Sequence, residues 1–579
     1  MKFTFNKQFM VLMFLLLNCF ASYAANEDLI TKQITLKLTK AGTLPDKIAS
    51  SEKNLVTNLK IIGEINGTDL RFIREMAGRD VEGHSTSGNL SVLDLSEARF
   101  VAGGDYYYNN YSGHYYTSND IIGQYAFYDC RSLTSVIIPS SVTEIGEDAF
   151  SQCWHLTSVN IPSSVTKIRE YTFSGCSSLT SVNIPSNVTR IGDHAFMYCS
   201  FTSIKIPSSV TYIGASAFSY CDSLKSVIIP SSVTVIESGT FYGCSSLTSV
   251  NIPSSVTEIG EDAFSYCSSL TSVNIPSSVT SIGRGAFSGC RSLTSVDIPS
   301  SVTEIGKYAF EGCWSLTSVN IPSSVIWFGT GAFRNCSSLI SVNIPSSVTK
   351  IEGVAFEDCS SLISVNIPSS VTYIGDGAFS RCYSLANVNI PSNVTYIGDG
   401  AFSLCESLTN VNIPSSVTYI GASAFWACDS LKSVKIPSSV TTIESSAFEY
   451  CRSLTSVNIP SSVTSIGGSA FRRCSGLRSI YVYAEAVPSI GVDSFDGCDL
   501  KNCTLYVPKR TYDAYWLSEW GIFENIVEFD ATNIRNIVAE SEVQENARYA
   551  VNGQRLTAPV KGINLVKYNN GRVKKEIVK

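Results

Sequence analysis

Cysteines, histidines and paired carboxylates are the residue types that could carry chemistry in this chain, and the cysteines have the most regular spacing. Sixteen of them recur at a nearly constant interval between Cys130 and Cys474. Equivalent thiols of stacked coils would lie about 4.8 Å apart, but side chains that all point one way do not turn together into disulfides, and no Cys-Cys or Cys-His spacing suits zinc. We interpret the series as small buried apolar groups and predict no metal site. Cys498 and Cys503 fall outside the series, and in an exported protein they can pair or remain free.

Catalytic chemistry has little support in the sequence. Four histidines are scattered along the chain: His84, His114, His155 and His194. None of them lies in a Ser-His or metal-ligand arrangement. The acid pairs Glu147-Asp148 and Glu261-Asp262 occupy a loop position that holds small residues in other repeats, which favours solvated charges. The sequence therefore predicts that the protein is not an enzyme and has no catalytic residues and no cofactor.

The elements that carry these residues follow a fixed repeat. Fifteen of the 19 prolines form one series from Pro139 to Pro460, with a step of 23 residues and a single step of 22. A fixed period of this length is typical of a solenoid, in which each repeat forms one coil. In one coil, Leu156-x-x-Val159-x-Ile161 matches the strand of a leucine-rich repeat, with Val159 and Ile161 pointing inward. The sequence predicts a right-handed leucine-rich-repeat solenoid of about 16 coils, mostly β with short turns or helical segments and capped at both ends.

Signals outside the repeat define the remaining segments. Lys2, Lys7 and the apolar residues 9–17 resemble a secretory signal cleaved near Ala24, while lipidation at Cys19 is the less favoured alternative. A helix over residues 70–76, capped by Thr68 or Asp69, lies in the N-terminal cap. The predicted segments are a signal peptide at 1–24, a cap region with a diverged repeat and a tyrosine-rich loop at 25–120, the solenoid at 121–497, a C-terminal cap at 498–530 and a small basic β tail at 531–579.

The tail and the overall charge bear on location and partners. Asn552-Gly553 and Asn570-Gly571 are hairpin-turn dipeptides within the tail. No later segment reaches the roughly 18 apolar residues of a transmembrane helix. The net charge of −7 gives no indication of a nucleic-acid partner. The sequence therefore predicts a secreted or cell-surface protein with no transmembrane segment once the signal is removed.

Two outward-facing surfaces are candidate ligand-binding sites. One is a polar face of asparagines two residues before successive prolines: Asn320, Asn343, Asn366, Asn389 and Asn412. These amides suit hydrogen bonding to glycans or extended peptides, or else they bond one another and stabilise the sheet. The other surface is aromatic, with Tyr373, Tyr396 and Tyr419 in three successive coils and Trp327 two coils earlier. Such rings can anchor a partner, although tyrosine is also a good strand former. The tyrosine-rich loop at 106–116 is a further candidate, or an exposed loop without a partner.

The recurring motif also has a family resemblance. The BspA-type leucine-rich repeat of bacterial surface proteins is similar to the string Ile-Pro-Ser-Ser-Val-Thr-x-Ile-Gly-x-x-Ala-Phe-x-x-Cys-x-Ser-Leu-Thr-Ser-Val, which covers about 121–475. The resemblance implies a surface adhesin that binds host matrix proteins, other cells or glycans. The N-terminal region resembles the cap of Bacteroidetes members. Residues 549–556 and 561–566 resemble a shortened C-terminal sorting module of type IX secretion, without its clear upstream strands. The alternative function is a passive structural spacer or a glycan-capture protein.

Overall fold

The structure is a computed structural model that describes residues 29–530, 545–550, 555–556, 558, 561–568 and 573–578. It contains two compact units, Met1–Leu408 and Thr409–Lys579. The predicted signal peptide, Cys19 and the turn dipeptides Asn552-Gly553 and Asn570-Gly571 lie outside the described residues. Each unit consists mainly of coils with two short parallel strands, which confirms the predicted solenoid class.

One coil shows how the repeat folds. Ser158–Val159 is a strand, and its exposed and buried residues alternate because successive side chains of a strand point to opposite faces. Pro162 ends this strand since it has no N–H to donate, and its carbonyl accepts from Val165 N at 3.1 Å to close a turn. Lys167–Ile168 is the second short strand. The coil then bends closely against its neighbour.

The first strands of the coils pair in parallel and in register. In the first unit these strands are Ile34–Lys37, Asn58–Ile65, Val92–Phe100, Ser135–Ile137, Ser158–Val159, Ser203–Ile204, Ser226–Ile228, Ser249–Asn251, Ser272–Asn274, Ser295–Asp297, Ser318–Asn320, Ser341–Asn343, Ser364–Asn366 and Asn387–Asn389. In the second unit they are Asn410–Asn412, Ser433–Lys435, Ser456–Ile459, Ser479–Val482, Thr504–Pro508 and Asn525–Phe529. Equivalent residues lie side by side, as Asn320, Asn343 and Asn366 do.

The second strands form shorter parallel ladders. In the first unit they are Ile121–Ile122, Glu144–Ile145, Lys167–Ile168, Arg190–Ile191, Tyr212–Ile213, Val235–Ile236, Glu258–Ile259, Ser281–Ile282, Glu304–Ile305, Trp327–Phe328, Lys350–Ile351, Tyr373–Ile374 and Tyr396–Ile397. In the second unit they are Tyr419–Ile420, Thr442–Ile443, Ser465–Ile466 and Ser489–Ile490. The tail contributes an antiparallel sheet of four strands, Glu545–Ala550, Arg555–Leu556, Gly562–Tyr568 and Val573–Val578.

The structure has about 22 turns of roughly 23 residues, where the sequence predicts about 16. The difference arises at the ends, because strands outside the regular series of prolines and cysteines also join the parallel ladders. Ile34–Lys37, Asn58–Ile65 and Val92–Phe100 pair in this way in the first unit. Thr504–Pro508 and Asn525–Phe529 do so in the second. The backbone therefore continues the repeat geometry beyond the residues that define it in sequence.

The core of the regular coils contains a recurring phenylalanine and a recurring cysteine. Consecutive phenylalanine rings stack, as Phe264 and Phe287 do at 5.4 Å between centroids and 7° between planes. The thiol of Cys290 donates a hydrogen bond to the carbonyl oxygen of Phe264 in the preceding coil at 3.2 Å. Equivalent bonds recur along both units. Burial raises the pKa of these thiols above the ordinary value. In Cys244 it raises the pKa to about 12.

Cys498 corrects the sequence interpretation, which placed it outside the ladder. Its thiol donates to the carbonyl oxygen of Phe471 at 3.2 Å, and Phe495 stacks on Phe471 at 5.4 Å. Cys498 follows Cys474 by 24 residues rather than 23. This one extra residue breaks the regular spacing, although Cys498 occupies the next position of the ladder. Cys498 and Cys503 are both free thiols in the structure.

The N-terminal end also differs from expectation in two details. The helix α1 spans Gly67–Met76, and its N-cap is Asn66 rather than Thr68 or Asp69. The Asn66 side chain accepts from Thr68 N at 3.1 Å, and Asp69 Oδ2 accepts from Asn66 N at 3.0 Å, so the two side chains close a capping box. A short 3-10 helix at Leu44–Asp46 precedes it. The predicted tyrosine-rich loop is an antiparallel hairpin of Gly103–Asn110 and Gly113–Thr117.

Aromatic residues close the second unit after the last phenylalanine of the stack. The helix α2 spans Tyr512–Trp516, and a 3-10 helix follows at Glu519–Ile522. Trp520 is fully buried, and its Nε1 donates to the carbonyl oxygen of Pro488 at 2.8 Å. Tyr515 is also buried and donates to the carbonyl oxygen of Ala484 at 2.6 Å. These contacts seal the apolar interior that the repeat leaves open at this end.

Candidate functional site

The predicted asparagine face is present on the outward side of the first strands. Asn320, Asn343, Asn366 and Asn389 are exposed in the first unit, and Asn412 is exposed in the second. The Nδ2 of Asn366 donates to the Oδ1 of Asn343 at 3.0 Å. At this rung the asparagines therefore bond each other, as the structural alternative predicted. The face still presents amide groups to solvent along its edges.

The predicted aromatic stripe is formed by side chains of the second strands. Tyr373 and Tyr396 stack with ring centroids 4.7 Å apart and planes 8° apart. Both rings are half-buried. Burial is the main cause that raises the pKa of each hydroxyl, and the negative charge of the nearby Asp376 carboxylate raises it further. Tyr419 is half-buried at the equivalent position in the second unit. The paired rings offer one continuous aromatic edge with acidic residues beside it.

Trp327 lies in a second strand two coils before Tyr373, in a neighbouring parallel sheet, and is also half-buried. Its Nε1 donates to Oε1 of Glu352 at 3.1 Å. The polar atom of this indole is thus already bonded within the chain, and only the ring is left to contact a ligand. Trp327 is therefore a contributor of apolar surface and not of a hydrogen bond.

A second set of aromatic residues was missed by the sequence interpretation. Tyr198, Tyr220, Tyr242 and Tyr266 lie at or next to the residue before the ladder cysteine in four consecutive coils. Their ring centroids are 4.7, 5.2 and 5.4 Å apart in sequence order. We call this set the tyrosine row. Aligning the coils on their cysteines would have revealed it, but this position holds residues of many types in other coils.

The acid pairs are less solvated than the sequence suggested. Asp148 and Asp262 are both half-buried, and burial raises the pKa of Asp148 to about 6 and that of Asp262 above its usual value. Glu261 is exposed and forms an ion pair with Arg284 at 2.9 Å. The interpretation as solvated loop charges is therefore wrong for both aspartates, because the neighbouring coils cover them.

The histidines and the other titratable groups do not converge. His194 stacks on Tyr171 at 4.5 Å between centroids, and burial lowers the pKa of its imidazole. Among the described residues, no group of three or more His, Cys, Asp or Glu side chains could hold a metal ion. Within the same residues, no helix has the length and apolar character needed to cross a membrane. The two candidate surfaces consist instead of amides and aromatic rings.

A solenoid of short parallel strands with this repeat defines the chain as a leucine-rich-repeat protein. It belongs to the family described as the BspA type leucine rich repeat region, whose model matches residues 106–225, 189–317, 303–428 and 396–516. None of the curated proteins matches the chain.

Several solved structures are similar to the chain. A leucine-rich repeat protein from Bacteroides ovatus is 36% identical, covers 61% of this chain and 85% of its own, and has a TM-score of 0.52. A leucine rich cell surface protein from Faecalibacterium prausnitzii is 32% identical and has a TM-score of 0.30. The match covers 64% of this chain and 84% of that protein. A leucine-rich repeat protein from T. pallidum is 33% identical and has a TM-score of 0.25. The match covers 32% of this chain and 78% of that protein.

Proposed function

We propose that the protein is an exported surface binding protein, an adhesin that presents its repeats to a host matrix protein, a cell surface or a glycan. The observation that carries the proposal is the stacked pair of Tyr373 and Tyr396, whose half-exposed rings form an aromatic edge on an otherwise polar surface. Tyrosine is favoured at binding surfaces because it combines a large apolar face with a hydroxyl group. Membership in a family of surface proteins supports the same function.

The location is part of the same proposal. Residues 1–24 would direct export, with cleavage near Ala24, and the tail at 531–579 would act in sorting to the surface. A passive spacer would need no aromatic edge, whereas aromatic residues are enriched at binding surfaces. A non-enzymatic function is part of the proposal, because the amides and rings of the candidate surfaces suit recognition more than bond cleavage.

The test begins with the whole chain and a panel of extracellular matrix proteins and glycans. For a retained ligand, the triple variant Tyr373→Ser, Tyr396→Ser and Tyr419→Ser should bind more weakly by about 1 kcal/mol or more, which is about fivefold. The fold should survive, because surface substitutions usually change stability by within about 0.5 kcal/mol each.

A matched variant, with Asn343, Asn366 and Asn389 replaced by Ser, tests the other face. Loss of affinity in this variant alone would move the binding site to the asparagine face. Unchanged affinity in the folded tyrosine variant would contradict the role of the aromatic stripe. Failure of the whole chain to retain any ligand would favour the passive spacer.

A further inference from the structure

The tyrosine row is placed at a backbone position that does not favour it. Tyr198, Tyr220 and Tyr266 have φ angles of 60°, 55° and 58°, in the left-handed region. Bulky side chains rarely adopt this conformation, whereas glycine adopts it freely. Gly175 and Gly312 occupy the equivalent position in other coils with φ of 74° and 67°. The fold therefore needs no ring at this position.

The rings of the row are nevertheless accessible to solvent. Tyr198 and Tyr266 are 46% and 49% exposed, and Tyr220 and Tyr242 between them are half-buried. Tyr198 and Tyr220 stack with planes 7° apart, while Tyr242 meets Tyr220 and Tyr266 edge to face. The result is an aromatic strip that crosses four consecutive coils of the first unit. A solvent-accessible run of aromatic rings that the fold does not require is a candidate for a role in binding.

The strip ends at a depression that is lined by Gly285, and a second glycine, Gly289, follows in the same coil. Gly285 and Gly289 occupy both left-handed positions of their coil, with φ of 58° and 68°. A Cβ atom at Gly285 would lie 2.1 Å from Oδ1 of Asp262, and one at Gly289 would lie 2.9 Å from Cδ1 of Tyr266. The absence of a side chain at these two positions leaves room for the side chains of Asp262 and Tyr266 in the preceding coil.

The depression has a volume of about 210 Å³. It is lined by rings, carboxylates and a guanidinium group, among them Tyr242, Tyr266, Tyr308, Asp262, Arg284 and Glu311. This volume is small for a drug-sized ligand, for which about 300 Å³ or more is usual. It suits a single ring-sized unit of a longer molecule, with the rest of that molecule lying along the strip.

The chemistry of the lining selects the ligand. Aromatic faces carry negative charge density and attract the weakly positive C–H groups on one face of a sugar ring. Asp262 and Glu311 accept hydrogen bonds from hydroxyl groups, and Arg284 donates them. Arg284 is paired with Glu261 and Glu311 with Arg334, so these pairs add no net charge. The carboxylate of Asp262 makes the lining acidic, which disfavours sulfated or acidic sugars.

We propose that the tyrosine row and the depression at Gly285 form a binding site for a neutral oligosaccharide. One sugar unit occupies the depression, and the following units contact the exposed parts of Tyr266, Tyr242, Tyr220 and Tyr198. This inference rests on the proposed binding function and gives it a second site, separate in sequence from the Tyr373 stripe.

The test uses the full chain with defined soluble probes: neutral gluco-, manno- and chito-oligosaccharides, and a sulfated heparin oligosaccharide. The row variant combines Tyr198→Gly, Tyr220→Gly and Tyr266→Gly, which installs the residue that other coils carry. Its binding of the neutral probe should fall at least tenfold by calorimetric titration. Tyr450→Gly is the matched control, because Tyr450 has the same left-handed conformation, with φ of 63°, but lies outside the row; it should leave binding unchanged.

A second measurement does not depend on a variant. Nitration of the exposed Tyr198 and Tyr266 by tetranitromethane should slow in the presence of the neutral probe, and Tyr450 should not be protected. The inference is overturned if no neutral probe binds, if only the sulfated probe binds, or if the folded row variant binds normally. Retention of a matrix protein through the Tyr373 stripe in any of these cases would leave the proposed function standing.

Discussion

At the residue scale, the repeat is maintained by side chains that bond to the backbone of the preceding coil. The Cys290 thiol donates to the carbonyl oxygen of Phe264, the Ser301 hydroxyl to that of Val279, and the Thr317 hydroxyl to that of Thr294. Each of these residue types recurs because it satisfies a carbonyl group where two coils meet. A small donor fits between the coils, and a larger side chain would separate them.

The ladder thiols are predicted to be unreactive in the folded protein. They are fully buried, and burial raises their pKa, so the reactive thiolate is scarce at neutral pH. In native protein at pH 8, a thiol reagent should label Cys498, which is only partly buried, before any ladder cysteine from Cys130 to Cys474. Mass spectrometry of labelled peptides, with denatured protein as the control, measures this order. Rapid labelling of most native cysteines would contradict the inward placement.

Asp148 should make stability depend on pH. Its folded-state pKa is about 6, raised mainly by burial from an ordinary value of 3.8. Its contribution to stability is therefore full below about pH 4 and lost as the pH rises through about 6. Asp148→Asn removes the buried charge, retains an amide that tolerates φ of 53°, and should stabilise the protein at pH 7 by about 1–2 kcal/mol after allowance for partial exposure.

Thermal melting at pH 7 and pH 3 measures this effect in both proteins. The melting temperatures of the variant and the parent should differ at pH 7 and converge at pH 3, where the parent carboxyl is protonated. A variant that is no more stable at pH 7 would show that water reaches the carboxylate and that the pKa is not raised.

At the scale of elements, the strand pattern was predictable and the loop surfaces were not. Val159, Ile161 and Pro162 define a strand and its end, because alternation and the missing N–H act locally. The tyrosine row depends on which loop positions take left-handed φ and lie side by side, which no local pattern specifies. The burial of Asp148 likewise comes from a neighbouring coil. Sequence therefore predicted the stripe at Tyr373 and missed the row at Tyr198.

The phenylalanine stack is expected to be the most sensitive element. Phe287 is fully buried between Phe264 and Phe310, with centroids 5.4 Å away on each side. Phe287→Ala should cost about 3–5 kcal/mol, because it removes a ring and leaves a cavity in both adjoining coils. Denaturant titration measures the loss. The control is Trp314→Ala, since Trp314 is 48% exposed and its removal leaves no cavity; an equal loss in both variants would contradict a continuous core.

At the scale of the whole molecule, the ends decide whether a repeat array is stable, since each coil buries its apolar side only against neighbours. In the second unit, Trp520 and Phe523 pack against Phe495, the last ring of the stack, with centroids 5.6 and 5.2 Å away. Trp520→Ala should therefore destabilise this end by about 3–5 kcal/mol. The strands of the tail pair with one another in a separate antiparallel sheet.

Deleting residues 531–579 should consequently leave the solenoid folded while changing where the protein is found. The deletion removes none of the aromatic residues that close the second unit, because Tyr515, Trp520 and Phe523 all precede it. The melting temperature of the solenoid should change by no more than about 2 °C, well below the effect of an internal cavity.

Surface display, measured by antibody binding to intact cells, should fall if the tail acts in sorting. Trp520→Ala separates the two effects, since it weakens the fold and retains the tail. Normal display of the truncated protein would contradict the sorting function, and a large loss of melting temperature would show that the tail also supports the fold.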